Sequence, residues 1–280
     1  MIQLDHQAVL KLLPDRKPFS HKGDYGRILL LCGSRGYTGA AALAARGALR
    51  CGAGLVYLGV PESIYEIEAR KLDEPIVFPL PDEGGMLASS AAQIVSEKLK
   101  NMDAVLIGPG LGQSAGTLAV LKTVLAEFSG PVLVDADGIN LLAAHKDLLR
   151  GRAHPTILTP HDGEFSRIGG ALTENREECA MRFAREEGCI LLLKGHRTVI
   201  TDGNVCYRNC TGNPGMAVGG SGDVLAGMIV SLLGQGIEPL AATACAAWLH
   251  GAAGDRCAQT LGQYGMLPSD MLQELPRLMK

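Results

Sequence analysis

Aromatic residues are scarce in this sequence, one Trp, five Phe and six Tyr among 280 residues. No basic patch interleaved with stacking side chains is therefore present, and a net charge of −3 also argues against a general nucleic-acid binder. No apolar run approaches the roughly 20 residues needed to span a bilayer. Met1 to Lys11 lacks the charged start and long apolar core of a secretory leader. The eight cysteines include no C-x-x-C pair, and Cys32, Cys189 and Cys245 sit inside apolar segments, as expected of reduced, buried thiols in a cytoplasmic protein. Cys206 and Cys210 are the most closely spaced but have no matching ligand pair, and no H-E-x-x-H occurs among the seven histidines, so structural zinc is not expected. The absence of G-x-x-x-x-G-K-[ST] excludes a P-loop nucleotide site.

What is abundant is glycine, with 36 residues, and alanine. Together with 47% apolar content this suits helices packed closely on a sheet better than an all-β sandwich. Apolar runs at Arg27 to Cys32, Leu55 to Val60, Ile76 to Phe78, Ala104 to Ile107, Val132 to Val134, Thr156 to Leu158 and Cys189 to Leu193 predict strands. Helical segments are predicted at Gln7 to Leu13, Ala40 to Arg50, Ile64 to Ala69, Ser89 to Lys100 (Ile94, Val95 and Leu99 inward) and Gly116 to Phe128. Thr198 to Thr201 and Val205 to Tyr207 are further strands joined by the turn T-D-G-N; helices follow Asp223, run from about Pro239 to Cys257, and begin again after Pro268. Alternation of this kind predicts a mostly parallel sheet covered on both faces, in one domain over residues 1–280. Ligands bind such sheets at the carboxyl ends of the strands.

The stretch from Thr211 to Gly227, T-G-N-P-G-M-A-V-G-G-S-G-D-V-L-A-G, is the richest in chemical signal. Its glycines lead into a run with Leu225, Met228, Ile229 and Leu232 on one helix face. Free N–H groups and the helix dipole make such a junction an anion site, although a plain helix capped by Ser221 fits the same letters. Gly220, Ser221 and Gly222 can aim N–H groups at developing negative charge. Asp223 is placed to take a proton from an attacking hydroxyl, or is simply a first-turn acid. Lys194, at a strand end, can neutralise phosphate or be an ordinary surface lysine. His161 and Glu164 read as a helix-start pair or as ligand contacts. Asp135 and Asp137 read as Mg²⁺ carboxylates acting through water or as caps. Gly110 to Ala115 matches G-x-G-x-x-A, the outline of a dinucleotide fingerprint, but in mid-chain and stiffened by Pro109, so close backbone approach to some ligand is the better reading.

Taken together the motifs resemble one family. They are H-K-G-D-Y-G-R at His21, G-Y-T-G-A-A at Gly36, G-A-G-L-V at Gly52, G-P-G-L-G at Gly108, D-A-D at Asp135, T-P-H-x-G-E-F at Thr159, K-G-x-x-T-V-I at Lys194 and N-P-G-M-A-x-G-G-S-G-D at Asn213. The chain resembles the ADP/ATP-dependent NAD(P)H-hydrate dehydratases of the ribokinase-like fold over nearly its whole length. Ser221 stands where threonine is commoner. The resemblance implies phosphorylation of the C6 hydroxyl of the S form of hydrated NADH or NADPH, by ADP or ATP with Mg²⁺, followed by loss of phosphate. It implies that Ala40, Gly110, His161 and Asp223 contact the hydrated cofactor and that Lys194, Gly195, His196, Arg197, Thr198 and Gly222 hold the adenine nucleotide. Asp223 would be the base, with the Gly220 to Gly222 amides as anion hole and no metal ligand assigned. A homotetramer is implied, as are a stand-alone, ADP-using bacterial form and a separate epimerase as co-worker, with neither nucleic acid nor membrane as partner. A vitamin or sugar kinase of the same fold is the alternative, though T-P-H-x-G-E-F has no evident use there.

Overall fold

The computed structural model describes residues 1–280. Nine strands form one sheet: β1 (Arg27–Leu31), β2 (Leu55–Pro61), β3 (Ile76–Leu80), β6 (Ala104–Ile107), β7 (Val132–Val134), β8 (Thr156–Leu158), β9 (Ile190–Leu193), β10 (Val199–Thr201) and β11 (Cys206–Arg208). A two-stranded ladder of β4 (Asp82–Glu83) and β5 (Met86–Leu87), not anticipated from the sequence, stands apart. The spatial order is β11-β10-β9-β8-β7-β6-β1-β2-β3, parallel except where β10 meets β9 and β11. Ile2 bridges to Tyr207, covering part of the β11 edge.

Alternation within each strand divides the core. Ile28, Leu30, Leu106 and Ile157 point to one side; Leu29, Leu31, Val105 and Leu158 point to the other. Against the first side pack α2 (Thr38–Arg50), α9 (Ser221–Gly234), α10 (Pro239–Gly265) and α11 (Pro268–Leu278). Against the second pack α4 (Ala91–Leu99), α5 (Ala115–Glu127), α6 (Asp137–Leu142), α7 (Asp162–Arg167) and α8 (Arg176–Glu187). The short α1 (His6–Leu12) and α3 (Glu62–Lys71) flank the first side.

α9 differs from its sequence reading. It is buried on every side from Val224 to Gly234, not along one face. Small residues make this possible. A Cβ on Gly227 would lie 2.0 Å from the Ala44 carbonyl oxygen, and one on Gly47 would lie 2.6 Å from that of Val224. The backbones of α2 and α9 are therefore in direct contact, and a methyl group at either glycine must force them apart, an overpacking cost of about 1–3 kcal/mol. Ile94, expected inward, is only half-buried, while Val95 and Leu99 are buried as expected.

Candidate active site

Three neighbouring strands, β7, β8 and β9, deliver polar residues to their carboxyl ends on one edge of the sheet. Asp135 follows β7 and is almost fully buried; Lys194 follows β9. The Lys194 ammonium lies 3.0 Å from Asp135 Oδ1 and 3.8 Å from Glu164 Oε2. Thr159, after β8, donates its hydroxyl to the same Asp135 oxygen at 2.8 Å. Burial works to lower the Lys194 pKa, but Asp135 and Glu164 outweigh it and the net shift is upward, so the side chain stays an ammonium ion. Glu164 is itself fixed by a reciprocal cap. Its Oε2 accepts the His161 N–H at 2.9 Å, while His161 Nδ1 accepts from Gly163 N–H at 3.0 Å and Glu164 N–H at 3.3 Å. The His161 ring remains half-exposed at the rim.

The start of α9 adjoins this cluster. Gly220, with φ +98°, is the N-cap, and Ser221 is the first helical residue rather than the cap. A left-handed turn at that point demands glycine and leaves the Ser221 hydroxyl facing inward, 3.5 Å from His250 Nε2. Burial pushes the His250 pKa down to about 4, so that ring is neutral. The Ser221 N–H is turned to the Val218 carbonyl, and the first intrahelical bond runs from Val224 N–H to Gly220. The Gly222 and Asp223 N–H groups precede that bond, where a helix has no carbonyl of its own to offer. A Cβ on Gly222 would sit 3.6 Å from Lys194 Nζ, so the helix mouth and the ammonium share one corner.

Asp223 occupies that corner. Burial and the neighbouring Asp135 charge raise its carboxyl pKa to about 6, with Lys194 pulling the other way. A carboxylate with this affinity accepts a proton readily and is still ionised at neutral pH. Asp135, Glu164 and Asp223 set three negative charges against one lysine, an excess that suits a cation arriving with an anionic ligand. No group of three His, Cys, Asp or Glu side chains forms a metal cage. A magnesium ion here fits one held chiefly by phosphate oxygens and water, with one or two carboxylates.

The G-P-G-L-G loop after β6 forms the other half of the site. Gly108 has φ +132° and a Cβ there would be 1.9 Å from the Asp135 carbonyl oxygen; at Gly110, φ +64°, it would be 2.9 Å from the Ala40 methyl. A Cβ at Gly112 would meet Met86 Sδ at 2.5 Å. The close approaches that these glycines allow are thus to the protein's own atoms. Asp137 accepts the Gly112 N–H at 2.9 Å, so it ties down this loop instead of capping α6. Ala40 and Gly110 meet, as do Lys194, Gly222 and Asp223. His196 and Arg197 are exposed in the turn before β10, which Thr198 closes by donating to the Gly195 carbonyl at 3.0 Å, and the cation paired with the site's carboxylates is Lys194.

Some participants had no sequence signal. Arg176, on the unanticipated α8, donates to the Lys194 carbonyl at 2.5 Å and pairs with Asp162 at 2.6 Å, joining two of the site's loops. His250 is the other, deep within α10. Asp135 and Thr159 lay inside motifs already quoted, but their shared contact did not follow from those motifs.

A parallel sheet with a glycine loop opening a buried helix, and a carboxylate in that helix's first turn, defines a ribokinase-like α/β protein. Residues 28–277 match the family model described as NAD(P)H-hydrate dehydratase, and the chain belongs to that family. It is 46% identical over 275 residues to the bifunctional NAD(P)H-hydrate repair enzyme Nnr of Moorella thermoacetica, covering 96% of this chain and 52% of that protein. The chain thus spans about half the length of the curated relatives it matches. Among solved structures, the ADP/ATP-dependent NAD(P)H-hydrate dehydratase of Bacillus subtilis, co-crystallised with ATP and Mg²⁺, superposes with a TM-score of 0.86 at 33% identity, covering 98% of this chain and 96% of that one. A ribokinase-like superfamily protein of Enterococcus faecalis gives 0.87 at 29% identity, covering 99% and 94%.

Proposed function

We propose that this chain is an ADP- or ATP-dependent dehydratase acting on the S form of hydrated NADH and NADPH. The observation that carries the reading is the half-buried Asp223 carboxyl, poised near pH 6 at the α9 mouth beside Lys194. In this mechanism Asp223 takes the proton of the C6 hydroxyl as that oxygen bonds to the terminal phosphorus. The phosphoanhydride bond breaks, and AMP leaves from ADP or ADP from ATP. The free Gly222 and Asp223 N–H groups, presented by the turn at Gly220, and Lys194 hold the charge that develops on the phosphoryl oxygens; removing one such donor typically costs about 10²–10³ in rate. The C6–O bond then breaks with phosphate as leaving group, and a ring proton is lost from the adjacent carbon to restore the double bond. Phosphate departs far more easily than hydroxide, which is the use of a kinase-like site in a dehydration.

Mg²⁺ bound with the nucleotide would screen its phosphates, with Asp135 and Glu164 among the carboxylates of that corner that could hold it through water. Lys194, Gly195, His196, Arg197, Thr198 and Gly222 form the nucleotide side; Ala40, Gly110, His161 and Asp223 form the hydrated-cofactor side. We assign these roles to a single catalytic domain over residues 1–280, working as a homotetramer in the cytoplasm beside an epimerase activity that interconverts the hydrate's two forms. Eight unpaired cysteines suit a reducing compartment. No helix is long and apolar enough to cross a membrane. Incubating hydrated NADH with ADP or ATP and Mg²⁺ should restore reduced-nicotinamide absorbance. No recovery with either nucleotide would refute the assignment, and a stable phosphorylated product would favour the small-molecule kinase.

A further inference from the structure

At the opposite end of the sheet, where β1, β2 and β3 begin, lies a cavity of about 600 Å³. We infer that it is a second ligand site, for a flat organic anion: an aromatic or similarly planar body carrying a carboxylate, sulfonate or phosphate ester. Its size is that of small-molecule pockets generally, roughly 300–1,000 Å³. Tyr57, Ile76, Ile94 and Met102 give it an apolar wall. Lys22, Arg27 and Lys98 bring three cations to the same cavity.

None of these three cations forms a salt bridge, in a chain whose net charge is −3. Glu97 is the one acid in the lining and pairs with none of them. The Lys98 ammonium is held in place, and the main chain that carries the other two cations is fixed. The Lys98 ammonium stands 4.8 Å from the Phe78 ring centroid and 5.8 Å from that of Tyr57, a cation–π placement that keeps it at the wall. The short 3₁₀ segment Lys22–Tyr25 lies against the start of β2 so closely that a Cβ on Gly54 would be 1.8 Å from the Lys22 carbonyl oxygen. Arg27 opens β1, and its backbone N–H donates to Asp103 Oδ2 at 2.7 Å. Lys22 and Arg27 both belong to H-K-G-D-Y-G-R, a quoted motif that, like G-A-G-L-V at Gly52, the catalytic edge leaves unused. Unpaired charge beside exposed aromatic and aliphatic surface is what an anion with an apolar body would satisfy.

The test uses 8-anilinonaphthalene-1-sulfonate, read by fluorescence titration of the full chain with and without excess ATP and Mg²⁺. Saturable binding is expected in both conditions, weakened at least about tenfold in Arg27→Glu and in Lys98→Glu, the effect of losing one charged contact. The uncharged N-phenyl-1-naphthylamine, similar in shape, should bind more weakly and ignore both substitutions. Equal dye affinity in the variants, equal affinity of the uncharged compound, or displacement by ATP overturns the inference. So does a flat titration accompanied by a fall in sedimentation mass in Lys98→Glu, which would make the cleft an interface between copies. Arg27 is exposed and Lys98 half-buried, and circular dichroism and melting temperature matching the parent verify the fold.

Discussion

The two ends of the sheet carry charge in opposite ways. At the carboxyl end Lys194 is mostly buried, paired with Asp135 and outnumbered by carboxylates. At the amino end Lys22, Arg27 and Lys98 are unpaired and open to solvent or half so. In the first region burial, and after it the neighbouring Asp135 charge, raise the proton affinity of Asp223 against the pull of Lys194, which is how Asp223 comes to sit near pH 6. In the second the cations act singly. Coupled, desolvated charge is suited to chemistry; separate, accessible charge is suited to recognition.

Four perturbations test that contrast, the largest first. Asp223→Asn should lower kcat for hydrate dehydration by about 10²–10⁴, the usual worth of a positioned base, while nucleotide affinity measured by calorimetry changes little. Retention of most activity would remove Asp223 from the base role. The parent enzyme's kcat/KM should rise about tenfold per pH unit up to pH 6 and then level, because only ionised Asp223 can accept the proton. A profile flat from pH 5 to 8 would mean that its titration does not limit the reaction. The smallest effects concern stability. Lys194→Met leaves Asp135 buried without its cation and should cost about 2–3 kcal/mol in urea unfolding, less than a fully buried pair because Lys194 retains some exposure. Lys98→Met should stay within about 0.5–1 kcal/mol. Equal losses from the two would erase the distinction between the ends.

Much of the fold was legible because buried parallel strands are short, continuous apolar runs, as in Ala104 to Ile107 and Ile190 to Leu193. α8 was missed for the complementary reason. In R-E-E-C-A-M-R-F-A-R-E-E the core contacts come mainly from Cys179, Ala180, Phe183 and Ala184, too little apolar signal among so many charges. α9 was found, but its full burial was not, since Ala226, Gly227, Ser231 and Gly234 are buried by smallness and not by hydrophobicity. The glycine loops marked the catalytic edge, yet the Lys194–Asp135 pair joins residues 59 positions apart, a separation that only the strand order closes. Ser221 was a reasonable cap by composition; the left-handed turn at Gly220 displaced it by one position.

The backbone contact between α2 and α9 has a bearing on how the site can change. α2 carries Ala40 near its start and α9 carries Asp223 near its own, so the helices bring the proposed cofactor side and the transfer corner together. With Gly47 against Val224 and Gly227 against Ala44, the gap between those two points is gauged by main chain. Side-chain substitution in the core has no graded means of widening it. Variation in substrate size must therefore come through the rim loops, while the spacing across the reaction centre behaves as a fixed dimension of the fold.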